Sequence, residues 1–319
     1  MFWFYIFIFL FSCLLLYFSG EWVIEGLMRI ARYLGWREFV VAFFVMAFAA
    51  SLPNLFVGIT SALHKIPQLS FGDIAGNNLV ALTVGVALAV LIGKKDLPAE
   101  SRTVQTTSVF TMVAAVLPLI LILDGNLSRI DGILLIGFFF FYCSWLFSKQ
   151  ERFTRIYDDH ELPVLKEFKF FLKDLGKVIL GIVILIGASQ GIVASAKIFA
   201  EKLNMPIILV GVLITGVGTA LAEIYFAVAS AKRGETWMIL GDLMGAVIVP
   251  ATLVLGIVAL ICPIKIPDFS PFIIARFFLI ISAIFFFLFA KTNRKITKKE
   301  AIFLFLLYLI FIIIELLIK

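Results

Sequence analysis

Residues 51–62 read SLPNLFVGITSA, and residues 220–231 read ALAEIYFAVASA. Both segments lie inside long apolar runs, and they stand in register at an offset of 169 residues. The same offset aligns 19–87 with 188–256 without a gap, and 11 of those 69 pairs are identical. The identities include Leu52/Leu221, Ser61/Ser230, Ala62/Ala231, Gly72/Gly241, Asp73/Asp242, Gly76/Gly245 and Thr83/Thr252. Matching of apolar letters explains some of them. Clustered Gly, Ser, Asp and Thr mark an internal repeat.

Around the repeat, the 319 residues are 62% hydrophobic with a mean hydropathy of +1.11, and 35 of them are Phe. This excludes a sizeable soluble domain. Apolar stretches of about 20 residues recur from end to end, each long enough to cross a hydrocarbon layer of roughly 30 Å. Spans are expected near 2–19, 38–62, 70–92, 104–123, 130–147, 175–197, 206–230, 237–261, 269–290 and 300–318. The expected fold class is an all-α membrane protein of about ten transmembrane helices in two inverted-topology five-helix repeats. The N-terminus, MFWFYIFIFLFSCLLLYFSG, lacks the basic region and small-residue cleavage site of a signal peptide and reads as a retained first span.

Loops 1–2, 3–4, 5–6, 7–8 and 9–10 hold 20 Lys and Arg, counting Lys177 at the edge of span six. The opposite side holds six: Lys65, Arg129, Lys197, Lys202, Lys265 and Lys319. The basic side is assigned to the cytoplasm, which places both termini outside. The net charge of +6 follows this sidedness and is no nucleic-acid signal. The chain then divides into a first half at 1–148, a charged cytoplasmic linker at 149–174 and a second half at 175–319. Because the loop after span two is outside and the loop after span seven inside, the two copies cross in opposite senses. Secondary transporters use such inverted repeats, with the site at their interface near the bilayer midplane.

Polar groups inside the repeats point to that site. Pro53 lacks an amide hydrogen, and its ring opposes the carbonyl four residues back, near Ala49. Helix breaks at membrane depth persist only where protein or a water-filled cavity covers them. Small residues in TGVGTALAE (215–223) serve the same purpose in the second copy. Freed carbonyls and hydroxyls suit a desolvated cation. Glu223 would cost about 3 kcal/mol or more facing lipid, so it is expected to point inward. Asn54 is its equivalent.

Each polar residue also has a purely structural reading. Ser51, Ser61, Thr219 and Ser230 either join the site or bond back to helix carbonyls. Asp73 and Asp242 follow Gly at expected loop-to-helix transitions, where an N-cap role competes with an ion-path role. Asn77 and Asn78 continue that segment, and Asn78 is the better ligand candidate. Five residues separate it from Asp73, about 7.5 Å along a helix and on another face, which assigns the aspartates to the access route or to caps. Cys13, Cys143 and Cys262 lie scattered in apolar sequence, and His64 and His160 have no metal-ligand partner nearby, so no disulfide or metal centre is implied.

These segments resemble the sodium/calcium exchanger family of the cation/calcium antiporter superfamily, as a divergent prokaryotic-type member. That family carries G-T-S-L-P-E followed by G-N-x-x-G-S-N in each repeat. Here the first copy reads AASLPN then GDIAGNN, and the second reads GTALAE then GDLMGAV. The resemblance implies that the family's two ion-binding glutamates fall on Asn54 and Glu223. The polar residue ending the second motif falls on Asn78 and on Val247, and sodium-binding hydroxyls fall on Ser51 and Thr219. The expected cation set is therefore Glu223, Asn54, Asn78, Ser51 and Thr219, with Asp73 and Asp242 on the access route or as caps. Calcium takes 6–8 oxygens with carboxylates among them, whereas a centre with Glu223 alone balances a monovalent ion or proton better.

The expected function is secondary active cation antiport and not enzymatic catalysis, with alternating access around Glu223 and Asn54. Calcium, sodium or protons are the transported species, and no cofactor is expected. Partners are inorganic cations and the lipid of a prokaryotic cell (inner) membrane. One alternative is a transport-inactive or scaffold homologue, for which Asn54 and Val247 argue. Another is an intramembrane aspartyl protease in which Asp73 and Asp242 share one proton. No zinc-protease motif, P-loop or nucleophile elbow occurs.

Overall fold

Hydrocarbon offers a peptide group no hydrogen-bond partner, so a spanning segment must satisfy its backbone internally. The computed structural model of the chain is accordingly almost wholly helical. It describes residues 2–33, 51–148, 164–234, 236–292 and 294–317. Among these, nine helices are long and apolar enough to cross a membrane. The shorter apolar helix Leu52–Leu63 belongs to the span expected at 38–62, whose residues 38–50 lie outside the described residues.

In chain order the first half holds α1 (Phe2–Tyr33), α2 (Leu52–Leu63), α3 (Pro67–Val80), a π-helical turn at Ala81–Gly85, α4 (Val86–Gly93), α5 (Arg102–Leu121) and α6 (Arg129–Ser148). The second half holds α7 (Val164–Lys202), α8 (Ile207–Val210), a π-helical turn at Gly211–Thr215, α9 (Gly216–Thr219), α10 (Leu221–Arg233) and α11 (Thr236–Val249). A third π-helical turn at Pro250–Val254 leads into α12 (Leu255–Ile261), followed by α13 (Ile273–Lys291) and α14 (Lys298–Leu317).

The offset of 169 recurs in the elements themselves. It carries the start of α2 onto α10, both ends of α3 onto α11, the turn at 81–85 onto 250–254, and both ends of α6 onto α14. Thr83 and Thr252 each donate to the carbonyl four residues back, Leu79 and Ile248, at 2.5 Å. The repeat therefore extends well past residue 87. Asn77 Nδ2 donates to the Ala246 carbonyl at 3.3 Å, and these residues are themselves 169 apart. Equivalent positions meet there, so the pseudo-two-fold axis passes between them.

Helices α6 and α14 begin alike. Ser128 Oγ accepts from the Asp131 amide while Asp131 Oδ2 accepts from the Ser128 amide at 2.8 Å. Thr297 and Glu300 repeat this capping box at 2.7 Å. Thr297→Ala is expected to cost about 1 kcal/mol, read as a lowered melting temperature in detergent, and Ser128→Ala should cost the same.

Where the lipid lies follows from burial. The most apolar window of 67–93 is 83% buried and that of 239–261 is 78% buried, against 22% for 298–317. Helix α3 and helix α11 are thus the centre, and α14 is peripheral. Helices α1 and α7 pack along each other in antiparallel fashion. Gly26 lies against Val178, Gly181 against Val23 and Gly191 against Ser12, so one number falls as the other rises. Arg29 Nε meets Asp174 Oδ1 at 2.9 Å at one end of this pair.

The first span was expected to end at residue 19, but α1 continues to Tyr33. Ser19 bonds back to the Leu15 carbonyl. Tyr17–Glu21 and Arg29–Glu25 contacts, four residues apart, then carry the helix through its polar stretch. Of the charged connection at 149–174, residues 149–163 and His160 lie outside the described residues, and 164–174 form the start of α7.

Two short antiparallel ladders join the halves. Strand β1 (Leu97–Pro98) pairs with β4 (Lys295–Ile296), and β2 (Asn126–Leu127) pairs with β3 (Ile264–Lys265). Beside the first, Lys295 Nζ lies 2.8 Å from Asp96 Oδ2, whose hydrogen bond and charge hold the ammonium above the usual lysine range.

Candidate cation site

The two repeats meet backbone to backbone. A Cβ on Gly72 would strike the Ile208 carbonyl oxygen and come within 3.1 Å of Gly211 Cα. One on Gly76 would strike the Val212 carbonyl oxygen. Reciprocally, a Cβ on Gly211 would lie 2.8 Å from Gly72 Cα, and one on Gly216 would lie 2.6 Å from the Asp73 carbonyl oxygen. Only glycine leaves room for this approach, which brings the polar face of α3 against α9.

Each copy starts a helix at the same place. Helices α2 and α10 start at Leu52 and Leu221, after Ser51 and Ala220. Pro53 is the second residue of α2, where a missing amide hydrogen costs no helical bond. The carbonyl of Ala49 lies outside the described residues. The second copy has no proline here, and its α10 follows the π-helical turn, the four-residue α9 and Ala220. Asn54 and Glu223 are the third residues of α2 and α10, and they are 0% and 2% exposed. Among the described residues, neither amide atom of Asn54 nor either carboxylate oxygen of Glu223 has a hydrogen-bond partner on another residue.

Thr219 and Asp73 are brought together across the repeats. Thr219 Oγ1 donates to Asp73 Oδ1 at 3.1 Å, with the Thr215 and Gly216 carbonyls at 3.2 and 3.3 Å as competing acceptors. Asp73 is fully buried and its Oδ2 has no partner. The N-cap reading of the aspartates is overturned. Asp73 and Asp242 are the seventh residues of α3 and α11, because both helices start six residues earlier than their Gly-Asp pairs suggest. Asp73 and Asp242 share no hydrogen bond, and Oδ2 of each is unpaired. Among the described residues no three His, Cys, Asp or Glu side chains gather closely enough to hold one metal ion.

Asn78 is buried and lines a small cavity with Phe71, Ala115, Pro118 and Leu279, its Oδ1 unpaired. Asn77, one residue earlier, sits at the pseudo-two-fold axis with its own Oδ1 unpaired. Sequence reasoning passed over Asn77. The signal was its spacing of four from Asp73, which puts both on one face. Ser51 is buried immediately before α2. Ser61 bonds back to the Gly58 carbonyl at 2.8 Å, and Ser230 is buried. His64 Nε2 pairs with Gln190 Oε1 at 2.7 Å and Thr60 Oγ1 with Ser189 Oγ at 2.7 Å, joining α2 to α7.

Comparison with known proteins adds the following. The family model described as sodium/calcium exchanger protein matches residues 4–148 and 174–317. The Methanocaldococcus jannaschii membrane protein MJ0091 is 26% identical over 306 residues, covering 95% of each chain. The sodium/calcium exchanger MaX1 of Methanosarcina acetivorans is 22% identical over 333 residues, covering 93% of this chain and 94% of that protein. A solved structure of the sodium-calcium exchanger NCX_Mj superimposes with a TM-score of 0.67 at 24% identity, covering 98% of this chain and 99% of that one, a likeness of fold.

Proposed function

This chain belongs to the sodium/calcium exchanger protein family, and we propose that it exchanges cations by alternating access around Glu223. The observation that carries this reading is a carboxylate only 2% exposed whose two oxygens meet no donor on another of the described residues. Leaving such a group unsatisfied in a hydrocarbon layer costs several kcal/mol, and a cation arriving from water offsets that cost. Asn54, Asn78, Ser51 and Thr219 complete the proposed cation set, with Asp73 and Asp242 alongside. Calcium, sodium and protons are the proposed cargo, and no cofactor takes part.

Antiport needs the site to open to one face at a time. The antiparallel α1–α7 pair would slide along the rest of the bundle, to which it is joined by apolar packing, by the Thr60–Ser189 and His64–Gln190 hydrogen bonds and by the Tyr17–Tyr225 ring contact at 5.4 Å. We place both termini outside and the 149–174 connection in the cytoplasm. The β1–β4 ladder joins the third and ninth connections and β2–β3 the fourth and eighth, which agrees with the sidedness of the basic residues.

The test is calcium uptake into proteoliposomes loaded with sodium. Uptake that follows the outward sodium gradient and collapses with it is expected. Absence of both uptake and calcium binding would leave a scaffold role instead.

A further inference from the structure

By sequence the site has one glutamate where the family motif has two, because position 54 is Asn. The structure brings another carboxylate to it. Asp73 is wholly buried, held at Oδ1 by Thr219 Oγ1 at 3.1 Å with the Thr215 side chain also beside it, and among the described residues its Oδ2 has no hydrogen-bond partner. Thr219 precedes Glu223 by four residues across the break at Ala220, and both oxygens of that carboxylate are also open among the described residues. Asn77, one turn beyond Asp73 on the same face, adds an open Oδ1. These side chains are all more than nine-tenths buried.

Asp242 does not mirror this arrangement. The residue matching Thr219 in the first copy is Ala50, which has no hydroxyl to hold a carboxylate. Among the described residues no three acids gather around one point. The Thr219 hydroxyl ties Asp73 to the segment that carries Glu223. A threonine hydroxyl can donate its single proton to Asp73 while its lone pairs face an ion.

We propose that Asp73 supplies the carboxylate absent at position 54, so that Glu223, Asp73 and the Thr219 hydroxyl hold one divalent cation between the repeats. The negative charge has moved from the start of α2 to the face of α3 that meets the second copy. Two carboxylates neutralise a divalent ion, and oxygen ligands of this type suit calcium. The proposal rests on Glu223 being a ligand of the transported cation.

The full chain in lipid nanodiscs, titrated calorimetrically with calcium, tests it. Asp73→Asn is expected to weaken calcium binding on the order of a hundredfold, the loss of one of two ligand charges. Asn54→Glu placed in that background is expected to restore affinity to within about tenfold of wild type, because binding follows ligand charge count. Asp96→Asn, which removes an equal charge from the β1–β4 ladder, should change nothing. Unchanged calcium affinity in Asp73→Asn, with binding lost in Glu223→Gln, overturns the proposal and leaves the antiporter reading standing. Binding retained in Glu223→Gln overturns both. Should Asp73→Asn fail to fold, the exchanged pair decides. Calcium binding by Asp73→Asn/Asn54→Glu supports the proposal, and its failure to fold or to bind overturns it.

Discussion

Glu223→Gln is expected to reduce sodium-driven calcium flux in proteoliposomes on the order of a hundredfold or more, because the amide keeps the shape but removes the charge facing the ion. The same change should leave the melting temperature of the cation-free protein unchanged or raise it. A buried carboxylate without a hydrogen-bond partner is a liability to the fold, and a neutral isostere removes that liability. Opposite signs on transport and stability separate a ligand from a structural residue. Transport that survived the substitution would remove Glu223 from the site. A melting temperature that fell steeply would show the carboxylate to be holding the bundle together.

Gly76→Val is expected to destabilise the protein by about 1–3 kcal/mol, with a matching fall in melting temperature, since its side chain would be driven into the Val212 backbone. No rotamer change relieves a clash with a carbonyl oxygen. The helices must separate, and that withdraws Asp73 from Thr219, so calcium affinity should fall together with stability. Gly137→Ala is the control. It lies on an exposed face of α6 with nothing within 4 Å of a Cβ, and the change should be neutral or stabilising by up to about 1 kcal/mol. If Gly76→Val behaved like Gly137→Ala, close contact of the repeats would not govern the site.

Much of this arrangement is legible along the chain. The apolar runs marked the spans, and the offset of 169 paired SLPNLFVGITSA with ALAEIYFAVASA. The structure carries that pairing through to the capping boxes of α6 and α14. The cost of a charge in lipid is enough to turn Glu223 inward, and it is buried. These readings succeed because hydrophobic length, repeat spacing and the expense of an exposed charge are properties of the chain and its solvent.

Other features depend on how two helices are rotated against each other. Local cues left Asp73 and Asp242 as helix caps or access-route residues, but α3 and α11 begin at Pro67 and Thr236 and carry them into their middles. Spacing correctly put Asp73 and Asn78 on different faces. It held no information on which face the second copy would cover. That choice is made by Gly72 and Gly76 closing on Ile208, Gly211, Val212 and Gly216, which turns Asp73 and Asn77 toward Thr219 and Ala246. The sequence by itself determined the repeat, the span pattern and the inward acid. The tertiary structure alone decided which hydroxyl meets which carboxylate, because contact between copies depends on backbone approach at glycines whose partners lie more than a hundred residues away.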